Sequence, residues 1–548
     1  MSLYKENFKI FSKYKILWML LLLHFIANTG LIIQDAYETF GEWISLLDYT
    51  RQILLLSPQI LVLYTIIGYE FFSEPYRTNL SECTVATTLG YQNKHLSTNL
   101  AVVTTVLFIN CLLFTAFDLC ITHLDIKAHG IHDIDYQCTV YIIKCLFVNI
   151  FIIGFIGVLA GALLSKISRR SIAYTAIMAI IFCTSYLLNE VAIMVMVLTN
   201  YSVNLYDLLG VLNIMTPGLK FTTDNALGFP MMSYRICLIL FWVFFLLLIY
   251  CFINSKKQKV VKFSGCITLC VVMFIGYAMP ASRVDLSMNS SGSGMADQRY
   301  YATGNYHMQE VPSEFLVKKY TMDLDVRRLL KAKVTMKVSK ALKSYRFTLS
   351  HSYNIDEVYN QDCEPLKFER YKDELLVHSG KARTETITVK YNGASEAYYS
   401  NSQGLNLPGS FPYYPIAGYR KITDDGFLMI PLFLENHAEF DIRIKNHGKI
   451  YTNLERKEKG HYVGKSNGLS LYSGMYAVEE RHGIRITYPF LNGWGDTELE
   501  KMTSALKEAG YAGCKVFICP NVNKNDNAIS HEQIITGGYF ESIEDLQY

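Results

Sequence analysis

The sequence predicts a membrane all-α bundle, six spans plus a seventh linking span. An extracytoplasmic mainly-β domain follows, an antiparallel sheet or sandwich with a short α/β tail. Three observations predict it. Seven apolar runs of about 20 residues fill the first half. Basic residues collect in every second loop between those runs. The second half alternates apolar and polar residues with a period of two, punctuated by turn residues. Averaged over 548 residues this gives 51% hydrophobic and 18% charged, which hides the division. The net charge of +3 is too small to point to nucleic acid.

The chain opens on SLYKENFKIFSKYK, in which Tyr4, Phe8, Phe11 and Tyr14 fall at helical spacing against lysines. This reads as an interfacial helix leading into the first span, or else as a plain basic tail. The apolar runs lie at about 15–33, 52–72, 99–120, 140–165, 172–199, 234–253 and 264–281. The first is not a signal peptide: Asn28 and Gly30 offer no cleavage site, and more spans follow. Lys5, Lys9, Lys13 and Lys15 precede the first span; Arg77 and Lys94 lie between the second and third. Lys166, Arg169 and Arg170 lie between the fourth and fifth, and Lys256, Lys257, Lys259 and Lys262 between the sixth and seventh. The remaining loops are acidic or neutral. The positive-inside rule therefore puts the N-terminus in the cytoplasm, and seven crossings carry the C-terminal half to the outer face. Within the spans Asn189 and Glu190 stand out. A carboxylate in the bilayer is costly and marks a functional candidate; the alternatives are a hydrogen bond between helices or a position near the outer end of the span.

Ten of the 13 cysteines lie in the apolar half, and Cys111, Cys145, Cys183, Cys237, Cys266 and Cys270 read as small buried hydrophobes. Only Cys363, Cys514 and Cys519 lie beyond it; the last two, five apart on one strand, face opposite sides. No disulfide framework or zinc ribbon is visible.

The break between the second and third spans, FFSEPYRTNLSECTVATTLGYQNKHLSTNLAVV, is polar, with a helix-friendly start at Ser81-Glu82. A short amphipathic helix there, on the cytoplasmic side, suits docking of a peripheral protein. The layout resembles the type-2 ABC transporter permease over about residues 1–255. That family has an N-terminal interfacial helix, six spans and a first cytoplasmic loop that contacts the ATPase. Glu74, Arg77, Glu82, Gly90, Tyr91 and Lys94 occupy the places of its docking loop, and residues 200–230 resemble its outer re-entrant region. The resemblance implies a separate ATPase subunit as partner, residence in a bacterial cell membrane and a dimer of permeases. The chain shows no ATPase of its own. GHYVGKS at Gly460–Ser466 has three residues between its glycines where a phosphate loop needs four.

A seventh span occupies 256–285 and a Gly/Ser-rich linker 286–315. Strands follow. Tyr320, Met322, Leu324 and Val326 alternate with polar residues, as do Ala332, Val334, Met336 and Val338; TITVKYNG, FDIRIK and GIRITYP repeat the pattern. The order of these pieces over 316–490 is similar to the N-terminal β-domain of aminopeptidase-N-type zinc enzymes. Residues 491–548 then resemble the opening of that family's catalytic domain: Leu499, Met502, Leu506 and Ala509 form a helix face, Gly510 ends it, and CKVFICP is a strand. The family's Gly-x-Met-Glu-Asn and HExxH motifs are missing. His531-Glu532 begins such a motif, but Ile535 stands where the second histidine belongs, and the chain stops at Tyr548 before a distant Glu ligand. This implies no metal, no cofactor and no enzyme: a non-catalytic descendant, or a truncated version of a longer chain. Phe411, Tyr413 and Tyr414 are candidates for an outer peptide-binding surface, with core packing the alternative. The function that follows is the permease subunit of an ABC exporter. A membrane-anchored binding or sensor protein is the alternative, and a truncated membrane aminopeptidase a third reading.

Overall fold

The computed structural model describes residues 2–38, 47–77, 91–128, 136–167, 169–199, 205, 209–215, 226–228, 233–254, 259–278, 300–301, 309–327, 329–379, 384–395, 398–401, 404–423, 429–490, 495–519, 527–542 and 544–546. They form two compact units: residues 1–221 with 229–280, and residues 222–228 with 281–548.

The first unit is helical. In chain order it contains α1 (Ser2–Lys13), α2 (Lys15–Glu38), α3 (Asp48–Leu54), α4 (Ser57–Arg77), α5 (Tyr91–Ala128), α6 (Tyr136–Leu146), α7 (Ile153–Leu164), α8 (Arg170–Thr184), α9 (Tyr186–Leu198), α10 (Ser233–Asn254) and α11 (Lys259–Ala278). A π-helical turn, Phe147–Ile152, joins α6 to α7 without a break. Among the described residues, five stretches are long and apolar enough to cross a bilayer: Lys15–Glu38, Asp48–Pro75, Leu96–Asp125, Cys138–Leu164 and Tyr234–Ile253. Arg170–Thr184 and Phe263–Ala278 are apolar but shorter. The run expected as one span at 172–199 is two helices. Ser185 takes an extended backbone between them, donates its hydroxyl to the Phe182 carbonyl (3.0 Å) and accepts the Leu187 N–H (3.3 Å). A serine that offers both its own carbonyl-side and amide-side bonds to the backbone ends one helix and starts the next.

The opening segment is a helix. Phe11 is fully buried and packs edge-on against Phe71 of α4 (5.1 Å) and Trp18 (5.6 Å), while the Tyr4 hydroxyl donates to Thr105 of α5 (3.0 Å). Helices α4 and α7 approach through glycine. A Cβ on Gly157 would lie 2.8 Å from the Leu61 carbonyl oxygen, and one on Gly68 would lie 2.9 Å from that of Val158. Small residues permit such backbone contact where no solvent drives helices together.

The second unit is mainly β. Its largest sheet has seven strands in the order Glu455–Glu458, His461–Ser466, Ala438–Lys445, Val317–Val326, Leu330–Val338, Thr386–Gly393, Tyr353–Asn360. The alternation read from sequence is the alternation of burial: Tyr320, Met322, Leu324 and Val326 all point into the core, as do Ala332, Val334, Met336 and Val338. The sheet is mixed rather than antiparallel throughout. Val317–Val326 and Ala438–Lys445 run parallel, Tyr320 opposite Phe440 and Met322 opposite Ile442. The chain between them is long enough for the crossover that parallel pairing requires. Two four-stranded sheets complete the β body.

A five-stranded sheet ends the unit in the order Tyr476–Arg481, Ile484–Pro489, Lys515–Ile518, Gln533–Thr536, Ala528–Ile529, the middle three mutually parallel. Helix α12 (Asp496–Glu508) makes the crossover and buries Leu499, Met502 and Leu506. Gly510, at φ +85°, closes it: its N–H donates to Lys507 and that of Tyr511 to Leu506. Cys514 and Cys519 are both buried on opposite faces of the short strand, in separate cores.

Candidate functional site

Helix α4 carries Glu70 within an otherwise apolar run. A carboxylate there needs partners, and it has three. Arg77, two turns on, reaches back to make a bidentate pair, Nη1 to Oε2 at 2.7 Å and Nη2 to Oε1 at 3.2 Å. From α8, the Tyr174 hydroxyl donates to Oε1 (3.0 Å) and Arg170 Nη2 lies 3.4 Å from Oε2. The buried ring of Tyr69 backs the cluster: the Arg77 guanidinium sits 5.5 Å from its centre, and Tyr174 meets it edge-on at 5.6 Å. One turn on, Glu74 accepts a hydrogen bond from Tyr14, where α1 meets α2. The Tyr14 ring in turn contacts Phe71 (6.1 Å). Three helix ends are thus fastened by ionic and aromatic contacts. The cluster is half open: Arg170 is 63% exposed and Arg77 31%. It contains no nucleophile beside a base. Its chemistry is that of a half-exposed network of ion pairs and hydrogen bonds.

Of the residues expected to form a docking loop, Glu74 and Arg77 belong to this cluster. Glu82 and Gly90 lie outside the described residues, as do the side chains of Tyr91 and Lys94, which open α5. Glu190 is exposed on α9, just past the break at Ser185; the Asn189 side chain also lies outside the described residues. Phe411, Tyr413 and Tyr414 do not form a surface. They are 3%, 0% and 0% exposed and belong to the main core of the β unit, so the core alternative replaces the binding surface.

Sequence reasoning passed over two further groups. Asp118 of α5 is fully buried and accepts from Thr50 of α3 (2.7 Å) and Thr122 (3.3 Å). Arg235 of α10 is 7% exposed, its Nη2 3.5 Å from both Asn149 Oδ1, in the π-helical turn, and the Ile214 carbonyl. The signal for both was a charged residue inside an apolar run; Glu70 gave the same signal.

The half-motif His531-Glu532 leads into a strand, Gln533–Thr536, with Ile535 buried. His531 stacks on Tyr511 (5.8 Å), and Glu532 pairs with His437 (2.9 Å). A strand sends successive side chains to opposite faces, so this segment cannot present two ligands one helical turn apart. Among the described residues no group of three or more His, Cys, Asp or Glu is placed to hold a metal ion. GHYVGKS is likewise a strand, His461–Ser466, entered through Gly460 at φ +75°.

No protein-family model matches the chain, and no curated protein matches it significantly. Among solved structures, leukotriene A4 hydrolase from Saccharomyces cerevisiae aligns over 44% of this chain and 44% of its own, at 11% identity and a TM-score of 0.29. Its complex with bestatin aligns over the same shares at 12% identity and 0.31. An M1 zinc metallopeptidase from Deinococcus radiodurans aligns over 43% of this chain and 64% of its own, at 13% identity and 0.28. The chain therefore spans less than two thirds of each. A likeness this distant transfers no activity.

Proposed function

We propose that this chain is the permease subunit of an ABC-type exporter. It works with a separate ATPase chain, as a dimer in a bacterial cell membrane, and its outer domain binds substrate or a partner without catalysis. The observation that carries this reading is the Glu70 cluster. It closes the end of α4 from which the 78–90 segment departs, and it fastens α1, α4 and α8 where the basic loops collect. A peripheral motor needs such a rigid charged footing to move helices. A second observation supports the topology. Met475 of the β unit donates its backbone N–H to the carbonyl of Ala226 (2.8 Å), between α9 and α10. Two crossings, α10 and α11, separate that segment from the domain, which puts both on one face of the membrane as the proposed topology requires.

Chain purified in mild detergent is expected to carry an ABC ATPase. Arg77→Glu sets like charge against Glu70 and is expected to lower ATPase recovery about tenfold, with the chain still eluting as one species. Recovery unchanged by Arg77→Glu sinks the docking assignment. Wild-type chain without any ATPase favours the membrane-anchored binding protein.

The topology makes a separate prediction. Cys363 is exposed on a turn of the β unit, whereas Cys514 and Cys519 are buried. In a chain carrying Cys120→Ser, since Cys120 is also exposed and ends the third span, a membrane-impermeant maleimide is expected to label intact cells, and Cys363→Ser to abolish most of the label. Labelling of Cys363 only after lysis reverses the orientation.

A further inference from the structure

Residues 300–301, Tyr300-Tyr301, lie in the stretch expected to be only a linker, yet they are packed on the β unit. The Tyr300 ring lies flat on the His351 imidazole, centres 3.6 Å apart and planes within 2°. Tyr301 is 3% exposed. Its hydroxyl donates to Asp373 Oδ1 (3.2 Å) and meets His351 Nδ1 at 3.0 Å. The cradle is rigid. Asp373 Oδ1 also accepts the His351 backbone N–H (2.7 Å), and Arg370 Nη2 donates to the carbonyls of Leu349 and Ser350 at 2.7 and 2.8 Å.

We propose that this is a proton-operated clasp: protonation of His351 locks Tyr300-Tyr301 onto the β unit, and its loss frees the tether. The Tyr301 hydroxyl gives its proton to Asp373, so its oxygen is left to accept one from His351 Nδ1. The π face of Tyr300 attracts an imidazolium more than a neutral ring. Asp373, 3.5 Å from Nδ1, adds an opposite charge. Among the described residues, Asp373, Tyr300, Tyr301 and Arg370 bear on the imidazole; Tyr419, Glu374 and Glu310 share the same field, Glu374 being paired with Arg346. Arg370, whose Nη2 is held on the Leu349 and Ser350 carbonyls, opposes the proton, and the Asp373 carboxylate closer to the ring offsets it. Opening removes the Tyr300 face and the Tyr301 acceptor, so the closed form binds the proton more tightly. The clasp is then strongest below the ordinary imidazole range, about pH 6.5, and weakens as pH rises through it. Val311 bridges Tyr419, ten residues on from Tyr301, a stretch of roughly 30 Å when extended.

Hydrogen exchange on the full chain in detergent tests this. After correction for intrinsic rates, amides around Tyr300-Tyr301 are expected to gain about tenfold in protection from pH 8 to pH 5.5. His351→Phe keeps a stacking ring but no proton site and is expected to flatten that dependence; Tyr300→Ala is expected to remove the protection at both pH values. His351→Gln serves if the Phe variant loses protection in the neighbouring strands. Wild-type protection independent of pH, or the same pH dependence in the His351 variants, overturns the proposal.

Discussion

Gly161→Leu is expected to abolish recovery of the folded membrane unit. Gly161 lies on α7 where it crosses α4. A Cβ there would fall 2.6 Å from the Tyr69 amide nitrogen and against the Thr65 carbonyl oxygen. Both obstacles are backbone, so no rotamer change relieves them. Gly157 and Gly68 face the same seam, and separating the helices to admit a side chain would strip contacts along its whole length. Overpacking a rigid contact costs about 3 kcal/mol or more. The seam also holds Tyr69, the ring behind the Glu70 cluster, so ATPase recovery should fall with it. Gly30 of α2 is the control: nothing lies within 4 Å of its Cβ position. Gly30→Ala should leave the detergent melting midpoint unchanged or slightly raised, since alanine is the better helix former. Gly161→Leu that elutes as a single species with a wild-type midpoint would show that the two helices are not in backbone contact.

The strands of the β unit were legible because burial follows a period of two, and Tyr320 to Val326 needed no other information. Their partners were not legible. Alternation reports which face a residue takes, not which strand lies beside it, so the parallel pairing with Ala438–Lys445 was invisible. The stretch containing Phe411, Tyr413 and Tyr414 has no periodicity, and its aromatics favoured the core without excluding a surface. Glu74 and Arg77 could be picked out beside a polar loop. The partners of Glu70 could not, because Arg170 and Tyr174 are about a hundred residues away in sequence. A charged side chain inside a span is the one local signal that Glu70, Asp118 and Arg235 share. It identifies residues that need partners without naming them.

Tyr413 separates a structural role from a ligand-anchoring one. It sits in an irregular segment that runs through the core, where backbone polar groups have no water and no ladder to satisfy them. Tyrosine hydroxyls do this instead. Tyr413 donates to the Leu469 carbonyl (2.8 Å), and its own carbonyl accepts from Tyr391 (2.7 Å). Tyr320 donates to the Pro415 carbonyl (3.1 Å), and Tyr414 accepts the Leu469 N–H (3.2 Å). Burial holds the Tyr413 phenol far above its usual range, so it remains a donor at any working pH. Tyr413→Phe leaves the Leu469 carbonyl unpaired and is expected to cost about 1–3 kcal/mol. Tyr413→Ala adds a cavity and is expected to cost about 3–5 kcal/mol. Tyr391→Phe orphans the Tyr413 carbonyl from the other side. Because the two bonds meet at one residue, the double Phe variant should depart from additivity by about 0.5 kcal/mol or more. Proteolysis of the β unit across a denaturant series measures all four. Were these aromatics a ligand surface, Tyr413→Phe would leave proteolytic stability unchanged; a loss of stability in the order Phe, then Ala, assigns Tyr413 to holding the buried segment in place.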